Sequence, residues 1–109
     1  MSVPDDRLAE VRVPVHPAHA AFEGHFPGEP IFPGVALLGL VVSALQEKLG
    51  YDLRVTAIPS VRWRAVVRPG DVLDVRLTRL EEEDHVAFEV RNGETLVSHG
   101  TLVAGRAVS

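Results

Sequence analysis

One stretch of this chain, "VALLGLVVSALQEKL" from Val35 to Leu49, has the length and composition of a helix, and the rest must be arranged around it. Apolar residues fall on every side of its first three turns: Val35, Leu37, Leu38, Leu40, Val41, Val42 and Leu45. A helix that is apolar all round is expected to be buried. Only its end, "QEK", is polar, and Gly50 follows in the place of a C-cap.

The flanking segments read as strands. In "LAEVRVPV", residues 8–15, Val11, Val13 and Val15 alternate with Arg12 and Pro14, and the proline points to an edge position or a bulge. From residue 53 onward the period is two. "VRWRAVV" sets Val61, Trp63, Ala65 and Val67 against Arg62 and Arg64, with Arg68 following. Leu73, Val75 and Leu77 then alternate with Asp74, Arg76 and Thr78, and Val86, Phe88 and Val90 with Ala87 and Glu89. Arg68-Pro69-Gly70-Asp71 is a turn, and Asn92-Gly93 predicts a type I′ hairpin. A sheet wrapped around one central helix buries the apolar faces of both. The expectation is a single α+β domain over residues 1–109. Its first strand lies at about 8–15, a loop at 16–34, the helix at about 35–49 and antiparallel strands at about 53–104.

Composition narrows the functional classes. A formal net charge of −4 with interspersed acids and bases offers no footprint for nucleic acid or an anionic membrane. The absence of cysteine excludes disulfides, thiolate metal sites and thiol nucleophiles. The opening "MSVPDDRLAE" does not resemble a signal peptide. The longest apolar run, about 31–46, is broken by Pro33, Gly34 and Gly39 and falls short of the ~20 residues of a membrane span. A soluble, cytoplasmic protein is expected.

The loop before the helix contains "GHFPGEPIFPGV", residues 24–35, with prolines at 27, 30 and 33. Such a run is neither helix nor interior strand, because proline lacks the amide donor and fixes φ. Long loops in compact domains are usually functional when they are not disordered, and this one is too apolar and constrained for disorder.

This loop resembles the signature G-H-F-P-G-x-P-I-x-P-G-V of the hot-dog-fold 3-hydroxyacyl-[acyl-carrier-protein] dehydratases of the FabZ/FabA type. Every fixed position is present from Gly24 to Val35. "VRWRAVVRPGDVLDVRL" and "NGETLVSHGTLV" are similar to the later strands of that family, so the likeness spans roughly residues 14–104. It implies a dimer with an acyl tunnel at its interface. The substrate would be a 3-hydroxyacyl thioester on the phosphopantetheine arm of an acyl carrier protein, with no further cofactor and no metal. His25 would be the base that removes the C2 proton, and the Gly34 N–H would hold the thioester carbonyl. Phe26, Pro33, Val35, Leu38 and Ser43 are the candidate tunnel residues.

The chain departs from that family at one position. Its dehydratases carry a Glu or Asp on the helix four residues after the last valine of the motif, and here that position is Gly39. Glu23 and Glu29 flank the motif residues but are expected to face solvent, and Ser43 is a poor acid. A heterodimer whose second hot-dog chain supplies the acid is the favoured repair. Two alternatives stay open: a non-catalytic scaffold or acyl-binding subunit, and a hot-dog acyl thioesterase.

The other candidates have plainer readings. As a metal site, His16 and His19 together with His25 lack a carboxylate at matching spacing, so His16 and His19 read as solvated or capping. His85 and His99 read as satisfied sheet residues, with His99 facing the same way as Val97 and Val103. "RLEEED", residues 79–84, reads as a solvated turn. Arg62, Arg64 and Arg68 suit either an acidic carrier protein or the wet face of a sheet.

Overall fold

The computed structural model describes residues 7–16, 34–50 and 52–107. Strand β1 (Arg7–Pro14) comes first, then helix α1 (Gly34–Leu49), then β2 (Leu53–Trp63), β3 (Val72–Arg79), β4 (His85–Asn92) and β5 (Thr95–Arg106). The strands form one antiparallel five-stranded sheet in the order β1-β3-β4-β5-β2. With α1, the one helix among the described residues, against it, this is the α+β hot-dog arrangement. Strand β1 begins and ends one residue before the expected 8–15, α1 starts at Gly34 instead of Val35, and β5 runs on to Arg106.

The core lies between α1 and the inner face of the sheet. Leu37, Val41 and Leu45, four residues apart and therefore on one helix stripe, are all buried. They join Leu73, Val75 and Leu77 of β3 and Val86, Phe88 and Val90 of β4 in one cluster. Each fully buried side chain of this size stabilises the fold by ~1.5–3 kcal/mol. Three such helix positions outweigh the ~1 kcal/mol that a mid-helix glycine costs against alanine, so α1 tolerates Gly39.

The expectation that α1 is buried on every side is corrected by the structure. Gly39 and Ser43 are exposed, and Leu38, Leu40 and Val42 are only part-buried. The cause is geometric: α1 packs against β1, β2 and β3 of one sheet, and one sheet covers one side of a helical cylinder. Leu38, Leu40 and Val42 touch the rim of the core and keep part of their surface open.

The turns follow their residue chemistry, with one change of type. Gly50 takes a φ of 80° just past α1, and its N–H donates to the Gln46 carbonyl at 2.9 Å. At Pro69-Gly70 the glycine has φ 87° and the Asp71 N–H donates to the Arg68 carbonyl at 3.2 Å, a type II turn. In the β4–β5 hairpin Asn92 pairs with Thr95, so Gly93 and Glu94 are the central residues. Gly93 has φ 61° while Glu94 does not share the left-handed region. The turn is therefore of the II′ kind, and the expected I′ geometry centred on Asn92-Gly93 is corrected.

A bulge in β5 corrects a second expectation. Val90 pairs with Ser98 but Arg91 with Leu96, leaving Val97 as an extra residue. Val97 and Ser98 are both buried as a result. His99 turns to the outer face opposite Glu89, away from the direction of Val97. There it joins a row of cross-strand partners running Glu10, Arg76, Glu89, His99, Arg62 over all five strands. Arg76 Nη2 lies 3.1 Å from Glu10 Oε1, and Arg12 Nε lies 3.2 Å from Asp74 Oδ1 in the neighbouring row. Opposite charges set side by side favour this register over one that slips by a residue. Among the described residues no helix is long and apolar enough to cross a membrane.

Two glycines without special backbone angles test this packing in opposite directions. A β-carbon at Gly100 would overlap the Ser60 carbonyl of β2 and lie 2.9 Å from the Phe88 ring. Gly100→Ala is expected to destabilise the fold by about 1–3 kcal/mol, because backbone cannot step aside as a side chain can. A β-carbon at Gly39 meets nothing among the described residues within 4 Å. Gly39→Ala is expected to stabilise the chain by about 0.5–1 kcal/mol. Urea unfolding of the two variants beside the parent chain checks both signs.

Candidate functional site

The described part of the site is built on the first half of α1. The opening amides of a helix have no partner within it and carry the positive end of the dipole. The first turn of α1 contains no acidic side chain that would neutralise that end. Gly34 stands at its start, and the indole of Trp63 lies directly against it. A β-carbon at Gly34 would come within 2.9 Å of Trp63 Cζ2, 3.1 Å of Cη2 and 3.2 Å of Cε2. Gly34 is not among the glycines of positive φ, so the indole, not a turn, is what demands glycine here.

Trp63 is itself held from both sides. It is the register partner of Ser98, whose fully buried hydroxyl donates to the Arg62 carbonyl at 2.8 Å. The Val97 carbonyl accepts from the N–H groups of Arg64 at 2.8 Å and Ala65 at 3.3 Å. The β5 bulge thus anchors the chain before and after Trp63. Reading by alternation placed Trp63 only on a strand face beside Val61 and missed its contact with the helix. The signal available was a motif glycine at 34 that no turn required.

Farther along α1, Leu38 is part-buried against the core, and Gly39 and Ser43 are exposed. Gly39 and Ser43 are four residues apart, as are Val35 and Gly39, so these positions share one stripe of the helix. That stripe differs from the buried one of Leu37, Val41 and Leu45. Space is open where a helix side chain at 39 would project. The structure therefore brings Gly34, Val35, Leu38, Gly39 and Ser43 onto one helix. His25, Phe26 and Pro33 lie outside the described residues, as do Glu23, Glu29 and His19.

The remaining candidates sit elsewhere. His85 has Nδ1 2.9 Å from the Glu83 carbonyl and Nε2 3.2 Å from Glu82 Oε2, so both ring nitrogens are engaged. It borders a pocket of about 300 Å³ at the opposite, C-terminal end of α1, floored by Leu45, Leu49 and Leu53. Residues 81–84 are exposed, as a solvated turn requires. Arg62 and Arg64 flank Trp63, and they and Arg68 are all exposed.

Comparison with known proteins places this architecture. The ApeI-like family, described as ApeI dehydratase, matches residues 2–101. The 3-hydroxyacyl-[acyl-carrier-protein] dehydratase FabZ of Lactobacillus helveticus is 35% identical over 72 residues, covering 60% of this chain and 49% of the relative. That of Chloroflexus aggregans is 43% identical over 68 residues, covering 54% and 47%. The chain thus spans about half the length of these curated relatives. Among solved structures, the dehydratase heterocomplex ApeI:P from Xenorhabdus doucetiae superposes with a TM-score of 0.81 at 25% identity, over 96% of this chain and 93% of that one. The fluoroacetyl-CoA-specific thioesterase FlK has a TM-score of 0.66 at 22% identity over 97% and 96%, a likeness of fold alone. With the match running over residues 2–101 and the same fold beneath it, the chain belongs to the ApeI-like dehydratase family.

Proposed function

We propose that this chain is a FabZ-like dehydratase subunit that acts on 3-hydroxyacyl thioesters carried by an acyl carrier protein, in fatty-acid or polyketide-type chain building, and that it works with a hot-dog partner supplying the acid. In this reading His25 takes the proton from C2 while the thioester carbonyl accepts a hydrogen bond from the Gly34 N–H. The positive end of α1, free of acidic side chains in its first turn, stabilises the negative charge that develops on that oxygen. The C2–H electrons form the C2–C3 double bond, the C3–O bond breaks, and a carboxylic acid protonates the departing hydroxyl, which leaves as water. Base and acid are both side chains, so the chemistry calls for no cofactor. Phe26, Pro33, Val35, Leu38 and Ser43 line the acyl tunnel, and the exposed Arg62, Arg64 and Arg68 face the acidic carrier.

Gly39 is the observation that carries the partner. The position is exposed, mid-helix, and open for 4 Å around the missing β-carbon. Neither a substitute acid nor a packed neighbour from the described residues fills it. That the similar structure from Xenorhabdus doucetiae is a dehydratase heterocomplex supports this reading. Strand β2 suits such pairing: it is outermost in the sheet and carries exposed Ile58. A partner on β2 also gives cover to the open apolar side of α1.

The purified chain, incubated with a 3-hydroxyacyl-carrier protein and followed by loss of water in the mass spectrum, is expected to be nearly inactive alone. Activity is expected on mixing with a homologue that carries Glu or Asp at the matching helix position, and to vanish with His25→Ala in this chain. Full activity of the lone chain removes the need for a partner. Inactivity of every such mixture leaves a scaffold role.

Gly39→Glu provides an independent check in the chain alone. General acid catalysis contributes roughly 10²–10⁴-fold, and a gain of that order in the lone chain is expected, because the space for the new side chain already exists. A stable, dimeric Gly39→Glu chain without any gain contradicts the acid vacancy.

A further inference from the structure

We propose that Trp63 is a substrate-contacting residue of this site, the wall against which the thioester-bearing arm lies. The inference rests on the dehydratase reading above and adds a residue to it. Trp63 is the largest side chain of the molecule and the only tryptophan, yet 47% of it is exposed. Val61, two residues before it, is part-buried against the core cluster and Val67 is 2% exposed, whereas Val66 shares the exposure at 46%. A core-filling tryptophan would be covered. A solvent-facing strand residue would not require a glycine beneath it.

The observed arrangement is a third kind. One edge of the indole is seated on Gly34, so closely that a single methyl group there would collide with it. The backbone on either side is clamped by the Ser98 hydroxyl and the Val97 carbonyl. The rest of the ring stands free beside the first turn of α1. A rigid, flat, apolar surface beside the opening amides of a helix, which have no partner within it, does two things for a thioester. It gives the sulfur and the adjoining methylenes and amide of the arm an aromatic face to pack on. It also keeps water from the amide dipoles, which act more strongly on the carbonyl oxygen when water is excluded. The placement is rigid before substrate arrives, so little ordering is needed on binding.

The single tryptophan makes the test direct. With this chain labelled by 5-fluorotryptophan, in the assembly that turns over, the fluorine resonance is expected to shift on titration with a 3-hydroxyacyl-pantetheine thioester. Trp63→Ala is expected to raise KM roughly five- to tenfold with a smaller change in kcat, and Trp63→Phe to restore most of that loss. Gly34→Ala is expected to impair the parent chain yet add little to Trp63→Ala, since the collision is then gone. An unmoved resonance during turnover, or Trp63→Ala with parental KM, removes Trp63 from the site and leaves the dehydratase reading standing. A Trp63→Ala chain that loses its partner while an enforced fusion of the two turns over normally assigns the indole to the subunit interface instead. Neither binding nor turnover in any assembly overturns both readings.

Discussion

The fold depends on the packing of one helix stripe, Leu37, Val41 and Leu45, into the inner face of a twisted sheet. That contact sets which way α1 is rolled, and the roll decides the rest. With these residues turned inward, Gly39 and Ser43 turn outward, and the amide end of the helix comes to rest under Trp63. A helix of this composition would have no preferred roll if it were free in an apolar medium. The curved sheet, with charged residues on its outer face and Val, Leu and Phe on its inner one, supplies the preference.

Three glycines show how one residue type serves different causes. Gly100 is needed because β2 crosses β5 too closely for a side chain. Gly34 is needed because an indole occupies the place of its β-carbon. Gly39 is needed by nothing among the described residues: none of them comes near its missing β-carbon, and helix propensity disfavours it. An unexplained cost of ~1 kcal/mol on an exposed helix stripe fits a surface completed by another molecule. The same logic extends to Leu38, Leu40 and Val42, which one sheet leaves only part-buried.

Strand alternation in β3 and β4 was legible because a residue of a strand faces the core or solvent by parity alone, and neither strand is interrupted. The same reasoning slipped in β5, where the extra residue Val97 reverses the parity and sends His99 outward. Bulges depend on the partner strand, so the alternation within one strand gives no warning of them. The hairpin at Asn92 was placed correctly but assigned the wrong turn type, because Gly93 satisfies both kinds and the pairing of Asn92 with Thr95 selects one. The burial of α1 was overstated for a related reason: an apolar surface shows that something covers it, not that the same chain does.

By itself the sequence determined the hot-dog class, the place of the helix and the loop motif with its histidine, since these rest on local periodicity and on residue types in fixed order. It also determined the vacancy at Gly39, which the register of the motif makes unambiguous. Only the tertiary structure decided that this vacancy opens outward and that Trp63 is laid on Gly34. These two facts join residues far apart in the chain, Gly34 with Trp63 and Trp63 with Ser98, through close packing. Such contacts are fixed by how the elements meet in space, which no pattern along a single strand or helix encodes.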